Sequence, residues 1–250
     1  MGEMTATLEA RGLTRRFGGL VAVADVSLSL TPGQAHAVIG PNGAGKSTLI
    51  NLLSGALSPH EGTIHLNGAD ITALPDWRRA RAGIGRGFQR THLFPSLTVL
   101  ENVRLAAQGA VRGWRLLDGA RADPATLAHA HAALEQVGLT AQAAGLAGAL
   151  SHGQARLLEI ALALAARPTV LLLDEPLAGL GFEETAPVVG LLRRLAAHRT
   201  MLLVEHDMDV VFAVARQVTV MVDGRVLASG TPATIRASAA VRDAYLGHRA

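Results

Sequence analysis

A glycine-rich stretch early in the chain has the residue types and spacing of a phosphate-binding loop. Gly40 to Ser47 fit the pattern G-x-x-x-x-G-K-[ST], and Lys46 is the only lysine in a sequence that otherwise uses arginine. The glycines allow backbone N–H groups to turn inward around a phosphate, and a following helix presents its positive N-terminus to the same anion. Lys46 offers the outer phosphates a compact ammonium, which a planar guanidinium cannot imitate, and the Ser47 hydroxyl can ligate Mg²⁺.

A second group of candidate residues stands at the end of an apolar segment far downstream. The sequence TVLLLDEP, residues 169–176, is typical of a buried strand, and it ends in Asp174 and Glu175. A carboxylate at the carboxyl end of a strand in a parallel sheet faces the crevice in which ligands bind. We therefore expect Asp174 to hold Mg²⁺, directly or through water, and Glu175 to polarise an attacking water.

Short apolar segments and helical segments alternate around these motifs. The residues before the phosphate loop, AHAVIG, predict a buried strand, and those after it, STLINLLSG, predict a helix that ends at Gly55. The alternation over residues 169–223 predicts a parallel sheet, and VTVMVDGRVLASG predicts a hairpin that turns at Asp223-Gly224.

Composition excludes several classes of protein. A chain of 250 residues with 49% hydrophobic and 17% charged residues can bury a substantial core and is not disordered. The absence of cysteine excludes disulfides and thiolate metal sites. No apolar segment approaches the roughly 20 residues that span a bilayer, and no secretory signal is visible at the start. We therefore expect a cytoplasmic domain that forms no membrane pathway by itself.

Five arginines lie between Arg78 and Arg90, in the stretch WRRARAGIGRGFQR. Such a stretch can indicate nucleic-acid binding. Because the net charge of the chain is only +3, we favour a solvated arginine-rich helix, and we expect no nucleic-acid partner.

Further motifs along the chain indicate the family. LSHGQ, residues 150–154, stands one helix before the acidic strand and closely resembles the LSGGQ signature of ABC-type ATPases. Gln89 matches the Q-loop glutamine of that family, His206 its switch histidine, and Phe17 the aromatic residue that stacks on adenine. The resemblance runs from about residue 8 to residue 247.

The resemblance implies a fold of the α/β class, that of a P-loop NTPase. It has a RecA-like core built on a parallel sheet, an N-terminal antiparallel β subdomain and an inserted helical subdomain. The implied division gives approximately residues 1–90 and 166–230 to the nucleotide-binding core with its β subdomain. Residues 91–165 form the helical subdomain with the signature, and residues 231–250 form a C-terminal tail.

The resemblance also assigns the site residues, with ATP and Mg²⁺ as ligands. The implied catalytic residues are Lys46, Gln89, Glu175 and His206, and the implied metal ligands are Ser47, Gln89 and Asp174. The other implied contacts to ATP within the subunit are Phe17, Asn42, Gly43, Ala44, Gly45 and Thr48. Contacts to the ATP of a facing subunit are assigned to Ser151, Gly153 and Gln154.

Longer segments, among them RFGGLVAVADVSL, GRGFQRTHLFPSLTVLENV and the tail VRDAYLG, resemble the branched-chain amino-acid uptake subfamily. This implies an ATPase at the cytoplasmic face of the inner membrane, bound to permease subunits and to a second ATPase subunit. A periplasmic or extracellular solute-binding protein is an indirect partner. The alternatives are amide or urea uptake, lipid transport or export, and an ABC ATPase that acts with nucleic acid instead of in transport.

One position departs from the pattern of the family. After DEPLAGL the family usually has Asp or Asn, but here Gly181 stands in that place. Glycine has no side chain that could reach across a dimer. We therefore expect the two composite sites of a dimer to be unequal if the partner subunit keeps the polar residue.

Overall fold

The computed structural model describes residues 7–87, 93–111 and 124–246, which form two sheets surrounded by helices. The strands are β1 (Leu8–Phe17), β2 (Leu20–Leu30), β3 (Ala35–Ile39), β4 (Glu61–Leu66), β5 (Ala69–Asp70), β6 (Ile84–Gly87), β7 (Val170–Asp174), β8 (Thr200–Val204), β9 (Gln217–Val222) and β10 (Arg225–Gly230). The helices are α1 (Lys46–Ser54), α2 (Asp76–Ala82), α3 (Val99–Val111), α4 (Pro124–Val137), α5 (His152–Ala165), α6 (Phe182–Ala196), α7 (Met208–Val214), α8 (Pro232–Ala237) and α9 (Ala239–Leu246). None of the helices in these three ranges is long and apolar enough to cross a membrane.

The larger sheet carries the phosphate loop and the acidic strand. Its strand order is β10-β9-β3-β8-β7-β6, with parallel pairing from β9 to β6 and an antiparallel hairpin between β9 and β10. Every residue of β3, β7 and β8 is buried, as expected for central strands of a parallel sheet covered on both faces. The hairpin turns at Asp223 and Gly224, which both have positive φ, so the predicted tight turn is confirmed.

The smaller sheet is antiparallel and lies over the helix that follows the phosphate loop. Its order is β2-β1-β4-β5, and β1, β2 and β4 contribute Leu13, Val26 and Ile64 to a core shared with α1. A backbone hydrogen bond of 2.8 Å from Ala24 N to the oxygen of Gly224 joins β2 to the hairpin of the larger sheet. The smaller sheet, formed by the first part of the chain, is therefore attached to the hairpin near the C-terminal end of the chain.

Helices α3, α4 and α5 pack against one another and share a core with α6, β7 and β8. Val103, Ala133 and Leu158 are buried among these helices, and Leu173 and Leu203 continue the same core into the larger sheet. Helix α5, which carries the signature sequence, therefore shares this core with the acidic strand β7. At the end of the described chain, α8 and α9 share a smaller core with β3 and β9.

The arginine-rich stretch does not form one solvated helix, so that expectation is wrong. Helix α2 ends at Ala82, strand β6 begins at Ile84, and Arg79 is 1% exposed. The guanidinium of Arg79 donates hydrogen bonds of 2.6–3.0 Å to four backbone oxygens, those of Leu52, Leu53, Thr72 and Leu74. Two of these belong to the last turn of α1, where a cation satisfies carbonyls that have no helical partner and complements the helix dipole.

We expect Arg79→Met to lower the free energy of unfolding by about 3 kcal/mol, because it leaves several buried carbonyl oxygens without donors. The matched control is Arg78→Met, since Arg78 is exposed and its guanidinium lies 4.9 Å from the centre of the Trp77 ring. We expect the control to cost less than about 1 kcal/mol. Urea unfolding followed by circular dichroism measures both values, and equal losses in the two variants would contradict the anchoring role of Arg79.

Candidate nucleotide-binding site

The phosphate loop occupies the turn between β3 and α1, as the sequence predicted. Gly40 and Gly45 have φ values of 153° and 95°, which strongly favour glycine. A Cβ at Gly40 would collide with the carbonyl oxygen of Met221, and one at Gly45 with that of Ala22. The loop is therefore pressed between a strand of each sheet. Of its other residues, Asn42 and Gly43 are exposed, Ala44 is buried, and Ser47 and Thr48 are half-buried.

Lys46 begins α1 and its ammonium lies inside the loop. Nζ donates to the carbonyl oxygens of Gly40 (2.7 Å) and Pro41 (2.9 Å), and the residue is only 6% exposed. Burial lowers the pKa of Lys46, whereas the charges of Glu175 and Asp174 act to raise it. The single lysine and the two acids of the downstream strand therefore belong to one electrostatic site.

Asp174, the last residue of β7, has the properties of a metal ligand. It is 3% exposed, and neither of its carboxylate oxygens has a hydrogen-bond partner among the described residues. Burial raises the pKa of Asp174, as does the neighbouring Glu175, while the charge of Arg86 and the hydroxyl of Ser47 act to lower it. A buried carboxylate with two unpartnered oxygens, beside a serine hydroxyl, matches the all-oxygen ligand set that Mg²⁺ prefers. The residues present therefore fit a magnesium ion.

Glu175 is held at the end of β7 in an uncommon backbone conformation. Its φ is 48°, in the left-handed region that non-glycine residues rarely adopt, and its N–H donates to the oxygen of Val204 at 2.9 Å. Such backbone strain is concentrated at functional sites, where the surrounding structure enforces it. Here the neighbouring strand β8 enforces it and leaves the carboxylate half-buried, near Lys46 and Asp174.

His206 follows β8, and a buried acid that the sequence interpretation missed holds its backbone. The His206 side chain is 67% exposed, whereas Glu205 is fully buried. Glu205 accepts from the N–H of Leu177 through Oε1 (3.0 Å) and from the N–H of His206 through Oε2 (3.2 Å). Burial raises the pKa of Glu205, and these two donors partly offset that effect. The only sequence signal for Glu205 was an acid directly after an apolar strand.

Phe17 lies at the end of β1, where it pairs with Leu20 across the turn to β2. Its side chain is 44% exposed, and the guanidinium of Arg15 lies 5.0 Å from the ring centre. Ala22, two residues beyond Leu20, touches Gly45 of the phosphate loop. The hairpin that carries Phe17 therefore also contacts the phosphate loop, and a partly exposed aromatic ring suits stacking on a base.

The signature residues stand at the N-terminus of α5. Ser151 is the N-cap, its hydroxyl accepts from the N–H of Gln154 (3.3 Å), and the Gln154 side chain accepts from the N–H of Ser151 (3.0 Å). The N–H of Gly153 is bound by Glu184 of α6 at 2.9 Å. These residues are therefore attached to α6, and they form a second group of candidate residues. Glu184 was not predicted, because no pattern in the sequence relates it to Gly153.

Gln89, predicted as a catalytic and metal-binding residue, lies outside the described residues. The segment from Leu177 to Gly181, which follows the acidic strand, is described, and side chains of other elements bind it. Besides Glu205, Arg156 of α5 donates to the oxygen of Ala178 (3.2 Å), and Glu184 accepts from the N–H of Gly181 (3.3 Å).

A phosphate loop before a helix, with an acidic strand end beside it on a parallel sheet, defines a P-loop nucleoside-triphosphatase. The chain belongs to the ATP-binding subunits of ABC transporters. The family model described as ABC transporter matches residues 23–178, and the model described as Branched-chain amino acid ATP-binding cassette transporter matches residues 225–250. The predicted fold class and the ATPase assignment are confirmed by these matches and by the relatives below.

Among the relatives, the chain is 43% identical to the high-affinity branched-chain amino acid transport ATP-binding protein BraF of Pseudomonas aeruginosa. It is 41% identical to the corresponding LivG of Escherichia coli. Both matches cover 96% of this chain and 97% of the relative. Among solved structures, the ADP conformation of the ABC cassette MJ1267 has a TM-score of 0.85 and 30% identity, covering 97% of this chain and 99% of that one. A dimeric post-hydrolysis state of the cassette MJ0796, bound to ADP and Pi, has a TM-score of 0.76 and 27% identity, covering 90% and 98%.

We expect Asp174→Asn to stabilise the metal-free protein while it removes the response to Mg²⁺. The amide carries no charge to bury beside Glu175, so the midpoint of thermal unfolding without metal should rise by about 2–4 °C, or roughly 1 kcal/mol. The control is Asp243→Asn on α9, because Asp243 is exposed. Thermal unfolding with ADP at increasing Mg²⁺ measures both effects. A destabilised Asp174→Asn, or one that keeps the Mg²⁺-dependent rise of the wild type, would count against the metal site.

Proposed function

We propose that the chain is the ATP-hydrolysing subunit of an importer for branched-chain amino acids or a related small polar solute. The observation that carries this proposal is the 41–43% identity to BraF and LivG over 96% of the chain. The match of the C-terminal residues 225–250 to the branched-chain amino acid cassette model supports the same subfamily. The subunit would work at the cytoplasmic face of the membrane, peripherally bound to permease subunits and served by a separate solute-binding protein.

Within one subunit, the residues at the carboxyl ends of β3, β7 and β8 have distinct roles. Lys46 and the N–H groups of the loop hold the β- and γ-phosphates of ATP, and the ring of Phe17 stacks on adenine. Asp174 and Ser47, with Gln89, hold Mg²⁺, which when bound neutralises charge on the phosphates. Glu175 orients and deprotonates the attacking water, and His206 contacts the γ-phosphate.

The second group of residues acts on the ATP of a facing subunit. Ser151, Gly153 and Gln154 present a capped helix N-terminus, which is a binding site for an anion. The hydrogen bonds of this group run within the signature and to α6, not to the phosphate loop, which supports a composite site completed by two subunits. A site of that kind couples hydrolysis to closure of the dimer, a two-state transition that can be passed to a permease.

We expect Glu175→Gln to keep ATP binding, to lower hydrolysis by at least about 100-fold and to accumulate a closed ATP-bound dimer. Gln keeps the size of the side chain but cannot take a proton from water. Lys46→Ala is the contrasting variant, because it should weaken nucleotide binding itself. Phosphate release, fluorescent-ATP titration and sedimentation separate the two effects. Hydrolysis near the wild-type rate in Glu175→Gln would remove Glu175 from the role of base.

An apolar cavity between α2, β6, α3 and α5 is the surface that we assign to the permease. Its volume is about 500 Å³, and three of the exposed large hydrophobic side chains line it: Trp77, Phe94 and Leu105. Exposed apolar patches of this kind mark interaction sites. The occupant we propose is a cytoplasmic segment of a permease, because transport requires a membrane-spanning partner and three exposed apolar side chains in one cavity suit an apolar segment of such a partner.

We expect Leu105→Asp to abolish recovery of the permease subunits, because it places a charge in the apolar cavity. Leu127→Asp on α4 is the matched control, since Leu105 and Leu127 are 38% and 40% exposed and only Leu105 lines the cavity. The measurement is affinity purification of each variant from its native membrane in mild detergent, with mass spectrometry of the bound proteins.

The same purification tests the proposed function. We expect two polytopic proteins to co-purify with the wild type and with Leu127→Asp, but not with Leu105→Asp. A co-purified solute-binding protein can then be tested for its ligand. Recovery of soluble or nucleic-acid-associated partners alone would overturn the transport assignment. Equal recovery of the polytopic proteins with both variants would overturn the cavity as their docking surface.

A further inference from the structure

The carboxylate of Glu184 joins the N-termini of two helices. Its Oε1 accepts from the N–H of Gly153 at the start of α5 (2.9 Å), and its Oε2 accepts from the N–H of Gly181 before α6 (3.3 Å). Both helix dipoles favour a negative charge at this point. The pKa of Glu184 is lowered, first by the N–H of Gly153 and then by that of Gly181, so the group is an anion at neutral pH.

The position of Glu184 also covers Gly153 physically. A Cβ built on Gly153 would lie 3.0 Å from the Cβ of Glu184 and 3.2 Å from its Cγ. Gly153 is accordingly buried, although the neighbouring Ser151 and His152 are exposed. An anion that approaches the start of α5 from outside therefore meets the side chain of Glu184 before it meets the N–H of Gly153.

Gly181 leaves Glu184 as the side chain that caps α6. Residue 181 is in the N-cap position with an extended backbone (φ −72°), and glycine has no side-chain oxygen for that purpose. Of the described atoms, a Cβ at this position would meet the Oε2 of Glu184 alone, at 3.9 Å, so these residues leave space for a capping side chain. Glu184 keeps a hydrogen-bond partner on α6 whether or not it also binds Gly153.

We propose that Glu184 is an intramolecular competitor for the signature amide: it occupies the N–H of Gly153 in the free subunit and must withdraw onto Gly181 before the ATP of the facing subunit can bind there. This inference rests on the proposed function, because it takes that ATP as the anion that Gly153 meets. One N–H cannot donate a strong hydrogen bond to a carboxylate and to a phosphate together, and the two negative charges repel each other. Closure of the composite site therefore includes the release of Glu184.

The kinetic test compares Glu184→Gln with Glu183→Gln in the purified transporter complex. Both variants remove one negative charge from the first turn of α6, but no hydrogen bond to Gly153 involves Glu183 among the described residues. We expect Glu184→Gln to lower the KM for ATP about 3–10-fold without lowering kcat, and Glu183→Gln to change KM less than about twofold. An unchanged or raised KM in Glu184→Gln, or an equal fall in both variants, would overturn the proposal.

A second measurement does not depend on the transport assignment. Amide hydrogen exchange of the chain without nucleotide, followed in peptides that contain Gly153, should be faster in Glu184→Ala than in the wild type and unchanged in Glu183→Ala. Protection that is the same in all three proteins would show that Glu184 does not hold the Gly153 amide. Failure to recover permeases with the wild type would instead overturn the proposed function. The hydrogen-exchange result alone would then decide whether Glu184 holds the Gly153 amide.

Discussion

Close packing of backbone against backbone around the phosphate loop is the constraint on which the rest of the structure depends. The loop fits between β2 and β9 only because Gly40 and Gly45 have no side chains where the oxygens of Met221 and Ala22 approach. The same contact attaches the smaller sheet to the larger one. Phe17 lies in β1, which pairs with β2, the strand that packs against the loop. The position of the aromatic ring and the geometry of the loop therefore depend on the same hairpin.

The electrostatics of the site follow from the ends of two parallel strands. Strand β7 ends at Asp174, Glu205 directly follows β8, and burial raises the pKa of both acids. Within the part of the chain that the structure describes, Glu205 has two backbone donors, whereas Asp174 has none. One of the two buried acids is thus satisfied by the protein and the other is left for a ligand. Position in the sheet alone does not distinguish a structural carboxylate from a candidate metal ligand. The number of backbone donors to each carboxylate does distinguish them.

The sequence predicted the features that local pattern determines, and it missed those that depend on contacts between distant elements. The phosphate loop, the acidic strand and the Asp223-Gly224 hairpin are encoded within about a dozen residues each, and all were predicted correctly. Arg79 was expected on a solvated surface, because nothing near it reveals that α1 ends at its side chain. Glu184 and Glu205 act on backbone N–H groups about 30 residues away, and a donor that every residue carries leaves no signature in the sequence.

Three side chains from other elements bind the short segment from Leu177 to Gly181, between the acidic strand and α6. Glu205 binds its first N–H, Arg156 binds the oxygen of Ala178, and Glu184 binds its last N–H. Glu205 directly follows β8, Arg156 belongs to α5 and Glu184 belongs to α6. A displacement of the segment must therefore alter the support of His206 at one end and the cover of Gly153 at the other. The geometry provides a continuous physical connection between the support of His206 and the cover of Gly153. Since Gly181 contributes no side chain, this connection runs through carboxylates and a guanidinium supplied by neighbouring elements.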